Sequence, residues 1–375
     1  MKIDLILPPT KRAGYGVLES FTRDLNSAFG QIGVESRILE PSSRLISTLI
    51  RDQPDYTLSF NGILPDPEGR WLCEMVDIPH IAYIVDSPNH FLELAKQSMN
   101  VIVTIDQGFA GLFERYGAER VCFLPHAVSR EVTFTHEAHP EFGWVFFGTC
   151  FDVEAIEMQW QRDYSQRVQE VLHAAASLAL EDPQIFYFDA FMRSAESHGL
   201  TPAELGNLSI PVLLQSLENK IRGEDRLFLL RNLEGIPVDV FGRSIHKRGW
   251  GELLRGSSVC VHDAIDYSQV KSIIRRSKGV LNSTPSIRYG AHERIFEAMA
   301  AGVGVVTSES VFLRNEFGGE NFYIYGDVSS PQRAFKAEEE LGGDKKESRC
   351  RAVIKHHTWI KRAEQLVAFL RVDKK

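Results

Sequence analysis

Cysteine is scarce in this chain, and its spacing excludes several classes of protein. The 375 residues include only five cysteines, an odd and widely scattered set with no CxxC pair. Such a set argues against a disulfide framework and against a zinc knuckle. Cys122 and Cys260 lie inside apolar, strand-like runs, where a small buried hydrophobic side chain is the expected role rather than a reactive thiol.

Long apolar runs and an excess of positive charge are also missing. No stretch approaches the ~18 uninterrupted apolar residues of a membrane-spanning helix, and the apolar run that ends at Pro8-Pro9 is too short for a signal peptide. We therefore expect no transmembrane segment and a cytoplasmic location. The net charge of -8 and the pI of about 5.9 argue against a dedicated nucleic-acid partner.

Metal-binding spacings are lacking too. No DxD follows a predicted strand, because Asp263 and Asp266 are separated by two residues. The twelve histidines form no HxxxH or HExxH pair. We expect no metal site and no cofactor.

What the chain does contain is a regular alternation of short apolar runs with helical patterns. This alternation predicts parallel sheets covered by helices on both faces, and the length suits two Rossmann-like α/β domains. The first domain is predicted at residues 1–128 and the second at 141–356. A stretch at about 152–231 lacks strand signals and is rich in Gln, Glu, Leu and Ala, which predicts a helical insertion in the second domain.

Ligands of open α/β sheets collect at the carboxyl ends of the strands. That rule selects a set of candidate residues from the loops that follow the predicted strands. They are Gly14, Tyr15, Gly16, Asn61, Asp86, Ser87, His126, Gly148, Thr149, Arg243 and Asn282.

Asp86 is a candidate base because it ends the most apolar predicted strand of the first half. A carboxylate there costs solvation unless it has a partner or a task. It could take a proton from a substrate hydroxyl or bind the substrate, or it could cap the helix predicted near Asn89. His126, at the seam between the halves, is the second candidate for that proton, with hinge packing as its alternative.

The strongest constellation runs from Leu281 to Gly302 as a strand, a loop and a helix. His292 and Arg294 flank the start of this helix, which suits a pyrophosphate. Glu297, one turn further on, could accept hydrogen bonds from both hydroxyls of a ribose. The alternative is an ordinary surface pair between Arg294 and Glu297.

This segment resembles the donor-binding signature of GT-B glycosyltransferases. It is most similar to the CgeB-like branch, which is related to the group 1 glycosyl transferases. The matching residues are Leu281-Asn282, then Arg294-Ile295-Phe296-Glu297-Ala298-Met299-Ala300-Ala301-Gly302, with Asp86-Ser87-Pro88 and Phe147-Gly148-Thr149. The resemblance implies transfer of a sugar from a nucleotide-diphosphate sugar, with a UDP-sugar favoured, to a protein, glycan or other hydroxyl acceptor, without a metal.

The resemblance also implies roles for individual residues. Glu297 would hold the ribose, His292 and Arg294 would lie near the diphosphate, and Gly148 and Thr149 would approach the sugar phosphate. Closure of the two halves would exclude water, and the acceptor would enter from the first domain, beside Gly14–Gly16, Asp86 and Ser87. The final helix, residues 357–375, would cross back to complete the first domain.

Two departures from the family pattern stand out. The upstream glutamate of the related families would fall near Tyr289-Gly290, where no carboxylate stands. The basic pair that usually meets the diphosphate is not evident, and Arg243, Lys247 and Lys271 are possible substitutes. A nucleotide-sugar epimerase of the same architecture and a non-catalytic two-domain binding protein therefore stay open as alternatives. The insertion could recognise a protein acceptor or form a homodimer.

Overall fold

The computed structural model describes residues 1–8, 16–131, 140–318 and 321–373. Within them the chain folds into two compact units. The first is drawn from Met1–Val132, Asp266–Ser268 and Ala352–Lys375, and the second from Thr133–Ile265 and Gln269–Arg351.

Twelve strands and sixteen α-helices are assigned in these residues. The strands are β1 (Lys2–Ile6), β2 (Glu35–Leu39), β3 (Tyr56–Phe60), β4 (His80–Ile84), β5 (Asn100–Thr104), β6 (Val121–Phe123), β7 (Phe142–Phe147), β8 (Val238–Phe241), β9 (Val259–His262), β10 (Ser277–Asn282), β11 (Gly304–Ser308) and β12 (Phe322–Tyr323). The helices are α1 (Val17–Gln31), α2 (Leu45–Asp52), α3 (Leu72–Val76), α4 (Gln107–Arg115), α5 (Val153–Asp163), α6 (Gln166–Glu181), α7 (Tyr187–Ser197), α8 (Pro202–Gly206), α9 (Ile210–Arg231), α10 (Trp250–Leu253), α11 (Tyr267–Arg275), α12 (Glu293–Ala300), α13 (Val311–Phe317), α14 (Ser330–Glu339), α15 (Gly343–His356) and α16 (Trp359–Asp373).

The first unit contains a six-stranded parallel sheet in the order β2-β1-β3-β4-β5-β6. Its central strands β3, β4 and β5 are buried along their whole length, as expected for parallel strands covered on both faces. The segment predicted as one helix after β4 forms two short 3-10 helices instead, Pro88–His90 and Leu92–Lys96.

The last helix, α16, packs in the first unit. Arg362, which is almost fully buried, donates hydrogen bonds to the carbonyl oxygens of Pro125 and His126. The Trp359 ring lies 5.3 Å from the Phe21 ring on α1. Among the helices of the described residues, none is long and apolar enough to cross a membrane.

The second unit contains another six-stranded parallel sheet, in the order β12-β11-β10-β7-β8-β9. The five helices α5 to α9 occupy the chain between β7 and β8, which confirms the predicted helical insertion and the α/β class with two Rossmann-like sheets. Strand β9 is at the edge of this sheet, so one of its sides has no neighbouring strand among the described residues.

The edge position of β9 corrects one expectation. Cys260 was expected to be a small buried side chain, but it is exposed. The apolar run Val259–Val261 indicates a strand without indicating its place in the sheet, and an edge strand leaves part of its surface to solvent.

Candidate functional site

The loop after β7 and the loop after β8 run side by side at the carboxyl edge of the second sheet. The Gly148 N–H donates to the Phe241 carbonyl at 3.0 Å, and the Trp250 indole N–H donates to the Gly148 carbonyl at 3.0 Å. A Cβ added at Gly242 would lie 1.9 Å from the Gly148 carbonyl oxygen, a separation that no real pair of atoms tolerates. Glycine is therefore needed at position 242 for this approach of the two loops.

We expect Gly242→Ala to lower the free energy of unfolding by about 1–3 kcal/mol, the usual range for overpacking. The matched control is Gly251→Ala on α10, where an added Cβ would have no heavy atom within 4 Å. Thermal denaturation of both variants measures the difference. Equal melting temperatures of the two variants would show that the loops can separate without loss of stability, and that their close approach is not required for the fold.

Helix α9 of the insertion brings two arginines to this edge. Arg222 and Arg226 are one helical turn apart and lie 5.1 Å and 5.2 Å from the centre of the Phe151 ring. Gly223 lets α9 approach so closely, because a Cβ there would be 3.0 Å from the Phe151 Cβ. The insertion therefore contributes directly to the loops that follow β7.

Arg226 is a buried cation with only part of its hydrogen-bonding capacity used. Its side chain is 4% exposed, and one terminal N–H donates to the Thr149 carbonyl at 2.5 Å. Its Nε has no hydrogen-bond partner among the described residues. Burial, followed by the nearby charges of Arg222 and Arg294, lowers the pKa of Arg226 well below its ordinary value. A buried guanidinium with an unused N–H donor can accommodate an anion.

The start of α12 adds the third arginine. Arg294 donates to the Phe147 carbonyl at 2.6 Å, at the end of β7. Its neighbour Glu293 lies 3.6 Å from Arg294 Nε and 2.5 Å from His292 Nδ1. Burial, and then the charge of Arg294, lowers the pKa of His292. We call Arg222, Arg226 and Arg294 the arginine cluster.

Glu297 is held one turn inside α12. Its side chain is 3% exposed, and an oxygen lies 3.6 Å from the Lys271 ammonium on α11. Arg294 contacts Phe147 and Glu293. Lys271, one of the three predicted basic substitutes, is thus paired with the predicted ribose carboxylate.

A buried hydrogen-bond network fixes α9 to the end of the sheet. Asp225, next to Arg226 in the chain, accepts from the Ser283 hydroxyl at 2.6 Å and from the Tyr323 hydroxyl at 2.5 Å. Burial raises the pKa of this carboxyl group. Asn282, at the end of β10, donates to the Thr307 hydroxyl at 3.0 Å, and its Oδ1 has no partner within the described residues.

Asp86 and its surroundings are in the first unit. The Asn61 amide donates to an Asp86 carboxylate oxygen at 2.7 Å, and the Asn61 carbonyl accepts from the Asp86 backbone N–H at 3.2 Å. Asp86 is therefore oriented by the end of the neighbouring strand β3. Ser87, rather than Asp86, occupies the N-cap position of the 3-10 helix that follows.

The other candidates of the first unit fall in three situations. Gly16 precedes α1 in a left-handed conformation with φ of 76°. His126 is buried, and its ring lies 5.4 Å from the Phe21 ring. Gly14 and Tyr15 lie outside the described residues.

Comparison with known proteins identifies a sequence family that is similar to part of the second half of the chain. Residues 224–368 match the sequence family described as Glycosyl transferase-like, a span that includes Arg226, Arg294 and Glu297. The matched residues are glycosyltransferase-like in sequence, and the chain has the GT-B fold. No curated protein sequence matches this chain.

Solved glycosyltransferases share the fold of this chain over almost its full length. AviGT4, a glycosyltransferase involved in avilamycin A biosynthesis, is 13% identical with a TM-score of 0.56, and the match covers 99% of this chain and 97% of that chain. Sucrose-phosphate synthase from Thermosynechococcus elongatus is 12% identical with a TM-score of 0.51, covering 99% and 98%. BGT of T4 phage, in complex with UDP and Mn2+, is 8% identical with a TM-score of 0.53, covering 100% and 99%.

The structure brings together part of the predicted donor set. Gly148, Thr149 and Arg294 meet at the end of β7, with His292 beside Arg294. The Gly148 N–H is engaged by Phe241, so the contribution of Gly148 is close approach rather than donation. Arg243 and Lys247 are exposed beyond the end of β8.

Sequence reasoning did not find Arg222 and Arg226 as site residues. The signal was present as Arg222-Gly223-Glu224-Asp225-Arg226, two arginines at helical spacing around a glycine. It was missed because the whole of residues 152–231 was interpreted as an insertion apart from the sheet. The CgeB-like branch stays a prediction, since the matching family is described only as Glycosyl transferase-like.

Proposed function

We propose that this glycosyltransferase moves a sugar from a nucleotide-diphosphate sugar, with a UDP-sugar favoured, to a hydroxyl group of a protein, glycan or other acceptor. The donor binds the second unit at the carboxyl edge of its sheet, and no metal ion is needed for its diphosphate. The observation that carries the proposal is Arg226, a buried guanidinium with an unpaired Nε beside two further arginines.

The arginine cluster accounts for the diphosphate. A diphosphate would relieve the repulsion among the three guanidinium groups and accept the N–H that Arg226 leaves unpaired. Arginine suits phosphate because its planar fork donates two parallel hydrogen bonds. The N-terminus of α12 adds the positive end of a helix dipole.

The same cluster supports metal-independent transfer. When the bond between the sugar and the β-phosphate breaks, negative charge develops on the leaving diphosphate. Fixed guanidinium groups stabilise that charge in a site screened from water, which is the task a divalent cation performs in other enzymes.

We expect turnover of the preferred UDP-sugar, measured as released UDP, to be the same in EDTA and in added Mn2+. Complete loss of turnover in EDTA would contradict metal independence.

Glu297 accounts for the ribose of the donor. A buried carboxylate can accept both ribose hydroxyls, and charge-assisted hydrogen bonds of this kind contribute about 1.5–3 kcal/mol each. The Lys271 ammonium lies 3.6 Å from this carboxylate and helps to orient it. UDP is favoured as the nucleotide because the fold is shared with BGT of T4 phage, which was solved in complex with UDP.

We expect Glu297→Ala to weaken UDP binding by at least roughly 10- to 150-fold, which is the loss for a single charge-assisted hydrogen bond. Calorimetric titration measures the affinity, and Glu339→Ala, an exposed carboxylate on α14, is the matched control. The wild-type protein should prefer UDP over 2′,3′-dideoxy-UDP, and Glu297→Ala should bind the two equally. A preference that survives in the variant would show that another group holds the ribose.

A further inference from the structure

A second polar cluster lies on the edge of the second sheet. Asp239 on β8 and Cys260 on β9 are register partners, and His262 follows Cys260 by two residues. Because side chains alternate along a strand, Cys260 and His262 point to the same face of the sheet. One ligand atom from each of Asp239, Cys260 and His262 lies within 4.8 Å of the others.

Two contacts hold the cluster in place. His262 Nε2 lies 2.7 Å from an Asp239 carboxylate oxygen. The imidazole also stacks on the Phe241 ring, with centroids 4.5 Å apart and planes inclined by 15°. The aspartate and histidine are therefore fixed in orientation, and the thiol beside them is exposed.

We propose that Asp239, Cys260 and His262 bind one divalent transition-metal ion, with Zn2+ as the preferred ion. A thiolate, an imidazole nitrogen and a carboxylate oxygen are the three ligand types that Zn2+ takes in proteins, at about 2.0–2.3 Å. The thiolate selects Zn2+ over Mg2+ or Ca2+, which prefer oxygen ligands. The exposed edge leaves the fourth tetrahedral position to water or to another ligand.

Binding of the metal ion would release one proton, from the Cys260 thiol. The Cys260 thiol gives its proton to buffer as the thiolate binds, and the imidazole binds in its neutral form, so affinity rises with pH. The ion would join the edge strand β9 to β8. Since only the folded protein brings the three ligands together, the ion would raise the stability of the folded state.

This site is separate from the arginine cluster, and it stands independently of the proposed function. Asp239, Cys260 and His262 lie on β8 and β9, whereas the arginines come from α9 and α12. An ordinary ion pair between His262 and Asp239 is the competing interpretation. Such an ion pair does not require the Cys260 thiol, so replacing this thiol distinguishes the ion pair from the metal site.

Titration with Co2+ tests the site directly, because a thiolate bound to Co2+ gives an intense near-ultraviolet charge-transfer absorption. We expect the full-length wild-type chain to bind one Co2+ with this absorption, and Zn2+ to displace it. Cys260→Ser should abolish the absorption. His262→Ala and Asp239→Asn should weaken Co2+ binding at least about tenfold. Even residues that only hydrogen-bond to a metal ligand change metal affinity about 10- to 100-fold when they are replaced.

Cys122→Ser is the matched control, because Cys122 is a half-buried free thiol in the first unit. It should leave the Co2+ spectrum unchanged, and melting curves of all variants in EDTA establish that each is folded. The proposal is overturned if the wild type shows no charge-transfer band, or if Cys260→Ser retains it. Because Co2+ absorption does not depend on UDP binding, failure here leaves the proposed donor site untouched, and the reverse also holds.

Discussion

Replacing Arg226 with methionine is expected to reduce kcat/KM for the donor about 10²–10³-fold, the usual loss when one charge-stabilising donor is removed from a preorganised site. Methionine has a similar length and fills the same space without the charge. The reason for the loss is that Arg226 is the buried member of the arginine cluster, so its field on the leaving diphosphate is the least weakened by water. Release of UDP from the preferred UDP-sugar measures the effect.

Two further measurements separate this role from simple packing. Arg226→Met should weaken UDP binding strongly and uridine binding hardly at all, since uridine has no phosphate. Without nucleotide, the variant should be at least as stable as the wild type, because it removes a buried charge that burial and two neighbouring arginines disfavour. A large fall in stability, or equal losses for UDP and uridine, would mean that Arg226 is structural.

Asp86→Asn is expected to lower the rate of transfer about 10²–10⁴-fold, the range for loss of general-base catalysis. The variant keeps the shape of the side chain but cannot accept the acceptor proton. UDP affinity should stay unchanged, because the nucleotide is proposed to bind the second unit. Single-turnover transfer to the preferred acceptor measures the rate.

Asn61→Ala is the companion variant for Asp86. It removes the amide that donates to the carboxylate at 2.7 Å while leaving the carboxylate itself. If Asp86 is the base, Asn61→Ala should show a partial loss of rate and a shifted pH profile. Full transfer activity in Asp86→Asn would remove Asp86 from the mechanism and leave His126 as the remaining predicted base.

The sequence was sufficient for most of the architecture, because parallel strands buried on both faces are continuous apolar runs. The predicted alternation of apolar runs with helical patterns corresponds to the two six-stranded parallel sheets of the structure. Short helices such as α3 and α10 were not predicted, because four or five residues are too few to show helical periodicity. Cys260 was placed in a strand correctly but assigned to the interior wrongly, since strand order is a property of the whole sheet.

The candidate site was predicted only in part, because some of its residues come together only through tertiary packing. Arg294 and Glu297 could be chosen because they lie on the helix that follows β10 after one loop. Arg222 and Arg226 reach the same edge from a long insertion, and that proximity depends on tertiary packing through Gly223 and Asp225. The cluster of Asp239, Cys260 and His262 likewise combines two strands, so no spacing motif indicates it.

We propose that the second unit binds a nucleoside diphosphate without a metal ion. A thermal-shift comparison of UDP, GDP, ADP, dTDP and CMP with the purified full-length chain in EDTA tests this binding. At about 100 times its Kd, a ligand specific to the folded state stabilises the protein by roughly 2.7 kcal/mol. We expect one nucleoside diphosphate, UDP first, to raise the melting temperature by a few degrees and to lose this effect in Arg226→Met. If no nucleotide shifts the melting temperature of the wild type, the arginine cluster is not a donor site.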